Sequence, residues 1–181
     1  MPMSVAQPDF AQPGELEVEL WDGEEVVKGQ PTPRHEALRA ALLAQLFGQR
    51  HTDLSVEVSS AIEEPGMAPR SDGSVLDRSL DPPATLVWVE VFSEADLRRG
   101  GPRLLGERRR RWLLEHGVRS LWAVTDVWGI IELTAFDPEG KVETFTSPAT
   151  ATVTISHRGG EERFVVDLGK LADAATAAGE E

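Results

Sequence analysis

Apolar and polar residues alternate through LEVELWDGEEVVKG, residues 16–29, on either side of Asp22-Gly23. Alternation is the period of a strand, and Asp-Gly suits a two-residue hairpin turn, so two short strands are expected here. The period then changes. In PRHEALRAALLAQLFGQ, residues 33–49, Leu38, Leu42 and Leu46 recur every four positions as one apolar stripe of a helix. Thr32 followed by Pro33 supplies its N-cap and a proline at the first helical position.

LSVEVSSAIEE (54–64) reads as a strand pair or an irregular β segment, and MAPRSDGSVLDRSLDPP (67–83) is turn-rich with a short strand at SVL. LVWVEVFS (86–93) is the clearest strand. A polar Arg/Gly loop leads to a helix over LLGERRRRWLLEH (104–116), stopped by Gly117. RSLWAVTDV and IIELTAFD are strands, TATVTISHRGGEERFVVDLG is a hairpin turning at residues 158–160, and LGKLADAATAA is a terminal helix. This order predicts an α/β (α+β) fold, a sheet flanked by helices. Residues 1–14 read as a loose tail, 15–175 as a single domain, and 176–181 as a fraying end.

Composition narrows the function classes. With 181 residues, 40% of them hydrophobic, the chain can bury one real core. It has no cysteine, which excludes a disulfide framework, a thiolate metal site and a thiol nucleophile. No segment approaches the roughly 20 apolar residues of a membrane span, and the N-terminus lacks a signal-peptide pattern. A soluble, cytoplasmic protein is expected. The net charge of −13 argues against coating nucleic acid by overall electrostatics. Charge is uneven, however: Glu94 to Arg119 holds eight arginines against four acids, a local +4 that leaves −17 for the rest. Such a segment can meet phosphate locally, or form a solvated helix face.

The candidate chemistry centres on Glu90. Alternation puts Leu86, Trp88, Glu90 and Phe92 on one face of their strand and Val87, Val89 and Val91 on the other. Taken alone, the strand suggests valines inward and Glu90 in water. Trp88 and Phe92 flank the glutamate, however, which argues that its face is covered as well. A covered carboxylate needs a partner, and a metal ion is one solution. Asp72 and Asp77 precede it by a loop, and two such acids from neighbouring strands could hold magnesium; Glu24 is a possible third. His35, His51, His116 and His157 show no zinc-ligand spacing, Gly100-Gly101-Pro102 is not a P-loop, and no GxSxG elbow exists.

The order of these segments resembles the Uma-two family, bacterial restriction-endonuclease-like proteins with a PD-(D/E)XK nuclease fold. VELWDGEEVVKGQPTPRHEAL looks like the family's hairpin, Pro-containing link and His-initiated helix. VWVEVFSEAD looks like its Glu-Val-x-Ser strand, and RRRRWLLEHGVRSLWAVTD like its following helix, Gly-Val turn and Trp-containing strand ending in Asp. FDPEGKVETF and FVVDLGKLADA fit the closing hairpin and C-terminal segment, so the match spans most of residues 16–175.

The resemblance implies a restriction-endonuclease-like core: a mixed β-sheet flanked by helices with additional hairpins. It implies phosphodiester hydrolysis with Mg2+ or Mn2+, nucleic acid (DNA first) as partner, and a homodimer. Asp72 and Glu90 would hold the metal, Glu24 would match the acid of the opening hairpin, and His35 the helix-start histidine. His35, Arg98 and Arg99 are candidates for substrate phosphate. Two departures stand out. Ser71 replaces the proline of the Pro-Asp motif, leaving Asp72 and Asp77 both in play. The family's helix lysine is missing, since the chain's lysines are Lys28, Lys141 and Lys170. Counting back from Gly117 puts Arg109 in its place, whereas matching LGE-x puts Arg108 there. Arginine keeps the positive charge but does not readily lose a proton. The resemblance therefore also admits an inactive nuclease-fold protein serving as a binding or assembly module.

Overall fold

The computed structural model describes residues 18–27, 31–49, 51–92, 106–157 and 160–179. The expected tail at 1–14, the loop with Arg98 and Arg99, Lys28, the turn at 158–159 and the last two residues lie outside these ranges. By contacts the chain divides into two units, Met1–Gln30 with Ile62–Pro69, and Pro31–Ala61 with Arg70–Glu181.

In the first unit, β1 (Val18–Trp21) and β2 (Glu24–Val27) form the antiparallel hairpin read from the alternation. Asp22 and Gly23 both adopt positive φ, +53° and +79°, the geometry that Asp-Gly accepts with little strain. The Gly23 N–H donates to Gly66 O at 2.8 Å, and the Ala68 N–H donates to Leu20 O at 2.8 Å. Glu19 is buried, and its carboxylate accepts the indole N–H of Trp21 at 2.9 Å.

The second unit holds a six-stranded sheet. Its strands are β3 (Leu54–Glu57), β4 (Gly73–Asp77), β5 (Ala84–Phe92), β6 (Ser120–Val127), β7 (Ile130–Phe136) and β8 (Val142–Thr146), lying side by side in that order. All neighbours are antiparallel except β5 and β6. A parallel pair cannot be closed by a tight turn, and the connection here carries α2 (Glu107–Glu115). Helix α1 (Pro33–Gly48), the hairpin of β9 (Thr150–His157) and β10 (Gly160–Asp167), and α3 (Leu168–Ala177) complete the unit.

The core forms on one face of the sheet. Val87, Val89 and Val91 of β5, with Trp122 and Val124 of β6, join Leu38, Leu42 and Leu46 of α1 and Leu168 and Leu171 of α3. The β9–β10 hairpin closes over the same core with Ile155, Phe164 and Val166, and Phe164 meets Trp122 edge-on at 6.0 Å. Each fully buried leucine contributes about 1.5–3 kcal/mol, so the three-leucine stripe accounts for much of the attachment of α1. On the other face, Trp88, Phe92, Leu113 of α2, Val118 and Leu121 are also buried. Strand β5 is therefore covered on both sides, and Glu90 is only 6% exposed. The simpler expectation, valines inward and Glu90 in water, does not hold, because Trp88 and Phe92 are buried on the glutamate's own face.

One polar cluster fastens the hairpin to the sheet. The carboxylate of Glu162 on β10 shares a hydrogen bond with His51 Nδ1 at 2.7 Å and lies 3.8 Å from His157 Nε2. His157 Nδ1 in turn lies 3.7 Å from the carboxylate of Asp77, at the end of β4. Asp77 accepts from the Ser79 hydroxyl at 2.6 Å and the Ser79 N–H at 2.9 Å.

The Ser79 hydroxyl, the Ser79 N–H and the charge of His157 together hold the Asp77 carboxyl below its usual 3.8, against the opposing effect of burial. A folded-state value below the unfolded one adds stability above the unfolded value, and that stability is lost as pH falls through the folded value. Asp77→Asn should therefore be less stable than wild type near pH 7, and the gap should narrow as acid protonates Asp77 below the normal carboxylate range. Urea-unfolding midpoints measured from pH 7 to pH 2 test this; parallel profiles for the two proteins would refute it.

Candidate active site

The first turn of α1 places two side chains where they meet buried acids. Thr32 caps the helix, its hydroxyl accepting the His35 N–H at 3.1 Å, and this fixes the orientation of Arg34 and His35. His35 is buried, with Nε2 3.7 Å from Asp72 Oδ1. The Arg34 guanidinium grips Asp126 of β6 with two prongs, Nε to Oδ2 and Nη2 to Oδ1, the latter at 3.1 Å. Asp126 is 1% exposed and also accepts the Gly129 N–H at 3.1 Å. The partial positive charge of a helix N-terminus favours carboxylates nearby.

Asp72 immediately precedes β4. Its own N–H donates to Val89 O at 2.9 Å, and its Oδ2 accepts the Val91 N–H at 2.7 Å. These bonds bracket Glu90, and continuing the β4–β5 register by one residue sets Asp72 across from it. Glu90 Oε1 accepts the indole N–H of Trp88 at 2.6 Å. Register also separates the two candidate aspartates, since Asp77 pairs with Ala84 at the far end of β5. At Gly73, beside Asp72, a Cβ would come within 2.5 Å of Leu43 Cδ2 on α1, so a larger residue there must displace that leucine side chain.

On α2, Leu113 faces inward, and Arg109 and Arg110, four and three residues before it, share its side of the helix. Both are half-buried; Arg110 lies over the Phe136 ring at 4.6 Å from its centroid. Arg108 and Arg111 are exposed, and Arg111 pairs with Glu107 at 2.7 Å. Glu24 belongs to the first unit and is exposed at its hairpin turn. The structure thus brings His35 and Asp72 together beside Glu90. Sequence reasoning overlooked Arg34 and treated Asp126 only as the end of a strand; the signal available was an arginine beside His35 in the helix's first turn.

The donor set can be tested against a metal ion. Among the described residues, no group of three or more His, Cys, Asp or Glu side chains is arranged to hold one. Two carboxylates remain, which is the number of protein ligands magnesium commonly takes while keeping several waters. Ser74 Oγ, on the Trp88 side of β4, is fully buried without a hydrogen-bond partner in the described structure. An unmet hydroxyl two residues from Asp72 suits a polar group such as metal-bound water. The residues present fit a hard, hydrated cation.

No protein-family model and no curated protein matches the chain. Among solved structures, a candidate nuclease belonging to DUF820 from Anabaena variabilis superimposes with a TM-score of 0.62 at 14% identity, over 87% of this chain and 90% of that one. The chain shares that protein's fold, a mixed α/β sheet flanked by helices and hairpins. No helix among the described residues is long and apolar enough to cross a membrane.

Arg34→Ala should strand Asp126 as a buried carboxylate without its guanidinium and cost about 3–5 kcal/mol. Arg34→Lys should fall between, having lost the two-pronged geometry. Urea denaturation measures both; a loss below about 1 kcal/mol for Arg34→Ala would show that the pair contributes no more than a surface ion pair.

Proposed function

We propose that the chain is a magnesium- or manganese-dependent endonuclease-like protein that hydrolyses phosphodiester bonds of nucleic acid, DNA first. The observation that carries this reading is Asp72 hydrogen-bonded to the residues on either side of Glu90, both acids buried, in a nuclease-like fold. Asp72 and Glu90 would hold the cation, which when bound lowers the pKa of water and offsets charge on the phosphodiester. Arg109, on the inward side of α2, would bind the scissile phosphate, with Arg108 as the exposed alternative. His35, 3.7 Å from Asp72, would orient that carboxylate or accept a proton near it. Arg98 and Arg99, outside the described residues, are further candidates for substrate phosphate.

A second reading is favoured by one observation: α2 carries arginine where the family carries lysine. Arginine fixes charge but does not readily give up a proton, so on this reading the fold serves binding or assembly and turnover is slow or absent.

Wild type should nick DNA only with magnesium or manganese present. Glu90→Ala and Asp72→Asn should each reduce the rate about 100-fold or more and weaken metal binding in calorimetry. Arg109→Ala should lower the rate while leaving metal binding intact. No cleavage of any DNA or RNA by wild type, together with no metal binding, would leave the second reading.

A further inference from the structure

The β6–β7 connection is a two-residue turn built on Trp128 and Gly129. Both have positive φ, +57° and +80°, as do Asp22 and Gly23 in the first hairpin. Aspartate tolerates that conformation; a bulky aromatic residue there is an outlier, and such strain concentrates at functional sites. Trp128 is also 77% exposed, whereas Trp21, Trp88 and Trp122 are buried and Trp112 is half-buried. It is flanked by exposed Val127 and Ile130, a directly opposed pair, so three apolar side chains crown the turn.

Two features tie this tip to the carboxylate pair. Alternation along β6 puts Val127 on the same face as Ala123, and Ala123 is the register partner of Glu90, so Val127 and its partner Ile130, on either side of the Trp128 turn, lie on the glutamate's face of the sheet. The turn is also held in place: the Gly129 N–H donates to Asp126, Asp126 is gripped by Arg34, and the next residue, His35, approaches Asp72. The backbone of the turn that carries the exposed indole is thus tied, through Asp126 and Arg34, to the helix turn that approaches Asp72.

We propose that Trp128 stacks on a nucleobase of the bound nucleic acid, acting as a wedge that sets the bases beside the scissile phosphate; this rests on the nuclease reading above. A base offers a flat apolar face of indole size, and aromatic wedges between base steps are a recurring way to open them. A second copy of the chain is the poorer occupant, because a stable dimer needs about 800 Å² from each partner and three side chains on one turn supply far less.

The test is binding without cleavage. Short single-stranded and duplex DNA and RNA oligonucleotides carrying 2-aminopurine are titrated onto the full chain in EDTA, with acrylamide quenching of tryptophan fluorescence read in parallel. Bound oligonucleotide should shield the acrylamide-accessible fluorescence, and Trp128→Ala should weaken binding about 10-fold or more, as loss of a stacked base does. Trp128→Phe should retain most of the affinity. Trp128→Gly, which relieves the left-handed strain, should be at least as stable as wild type yet bind as weakly as the alanine variant. Equal oligonucleotide affinity of wild type and Trp128→Ala overturns the wedge and leaves the nuclease reading standing if Glu90→Ala still abolishes cleavage. Wild type that neither binds nor cleaves any oligonucleotide overturns both. A Trp128→Ala variant that loses self-association in sedimentation, with oligonucleotide affinity unchanged, overturns the wedge in favour of a contact between copies.

Discussion

Three carboxylates are taken out of water, Glu90 and Asp126 in the C-terminal halves of the two parallel strands and Asp72 just before β4 beside Glu90, and the arrangement around them follows from the cost of doing so. An ionised carboxylate stripped of water costs several kcal/mol unless donors replace the water, roughly in proportion to how well they are aimed. Asp126 receives a two-pronged guanidinium and a backbone N–H; Asp72 receives the Val91 N–H and faces His35; Glu90 receives the indole of Trp88. The first of these is full charge neutralisation and serves to lock α1 onto the sheet. The N–H donors at Asp72 and Glu90 orient their carboxylates within the sheet, a different kind of contact from the two-pronged guanidinium at Asp126. One helix turn makes this division, since Arg34 and His35 are adjacent residues aimed at different strands.

Much of the scaffold was legible because its signals are local. The Asp22-Gly23 turn, the Thr32-Pro33 helix start and the leucine stripe of α1 each depend on residues a few positions apart, and all appear as expected. What was not legible depends on partners far along the chain. Alternation says which residues share Glu90's face; only the packing of that face says whether water reaches it. The choice between Asp72 and Asp77 turns on register across a bulge between Val75 and Leu76, which no residue pattern declares. Arg34 and Asp126 are 92 positions apart, and nothing local marks either as half of an ion pair.

The register gives β4 an acid at each end with different surroundings. Asp77 is tied to Ser79 and lies near His157 in a cluster joining the β9–β10 hairpin to the sheet, so its carboxylate serves attachment. Asp72, at the other end, is bonded into the backbone of β5 beside Glu90 and lies next to a glycine that lets α1 come close. Two aspartates, one ending β4 and one just before it, thus have different surroundings, and the difference comes from neighbours on β5, β9 and α1.

On the proposed reading, arginine rather than lysine on α2 shifts the chemistry as well as the rate expected of the site. A lysine beside two carboxylates can offer charge and, once desolvated, give up a proton; a guanidinium offers charge in a fixed planar fork and keeps its protons. Under the proposed reading, Arg109 can hold a phosphate while proton acceptance falls to the carboxylates and His35. On that reading His35, whose ring lies 3.7 Å from Asp72, would serve the site as well as the helix start.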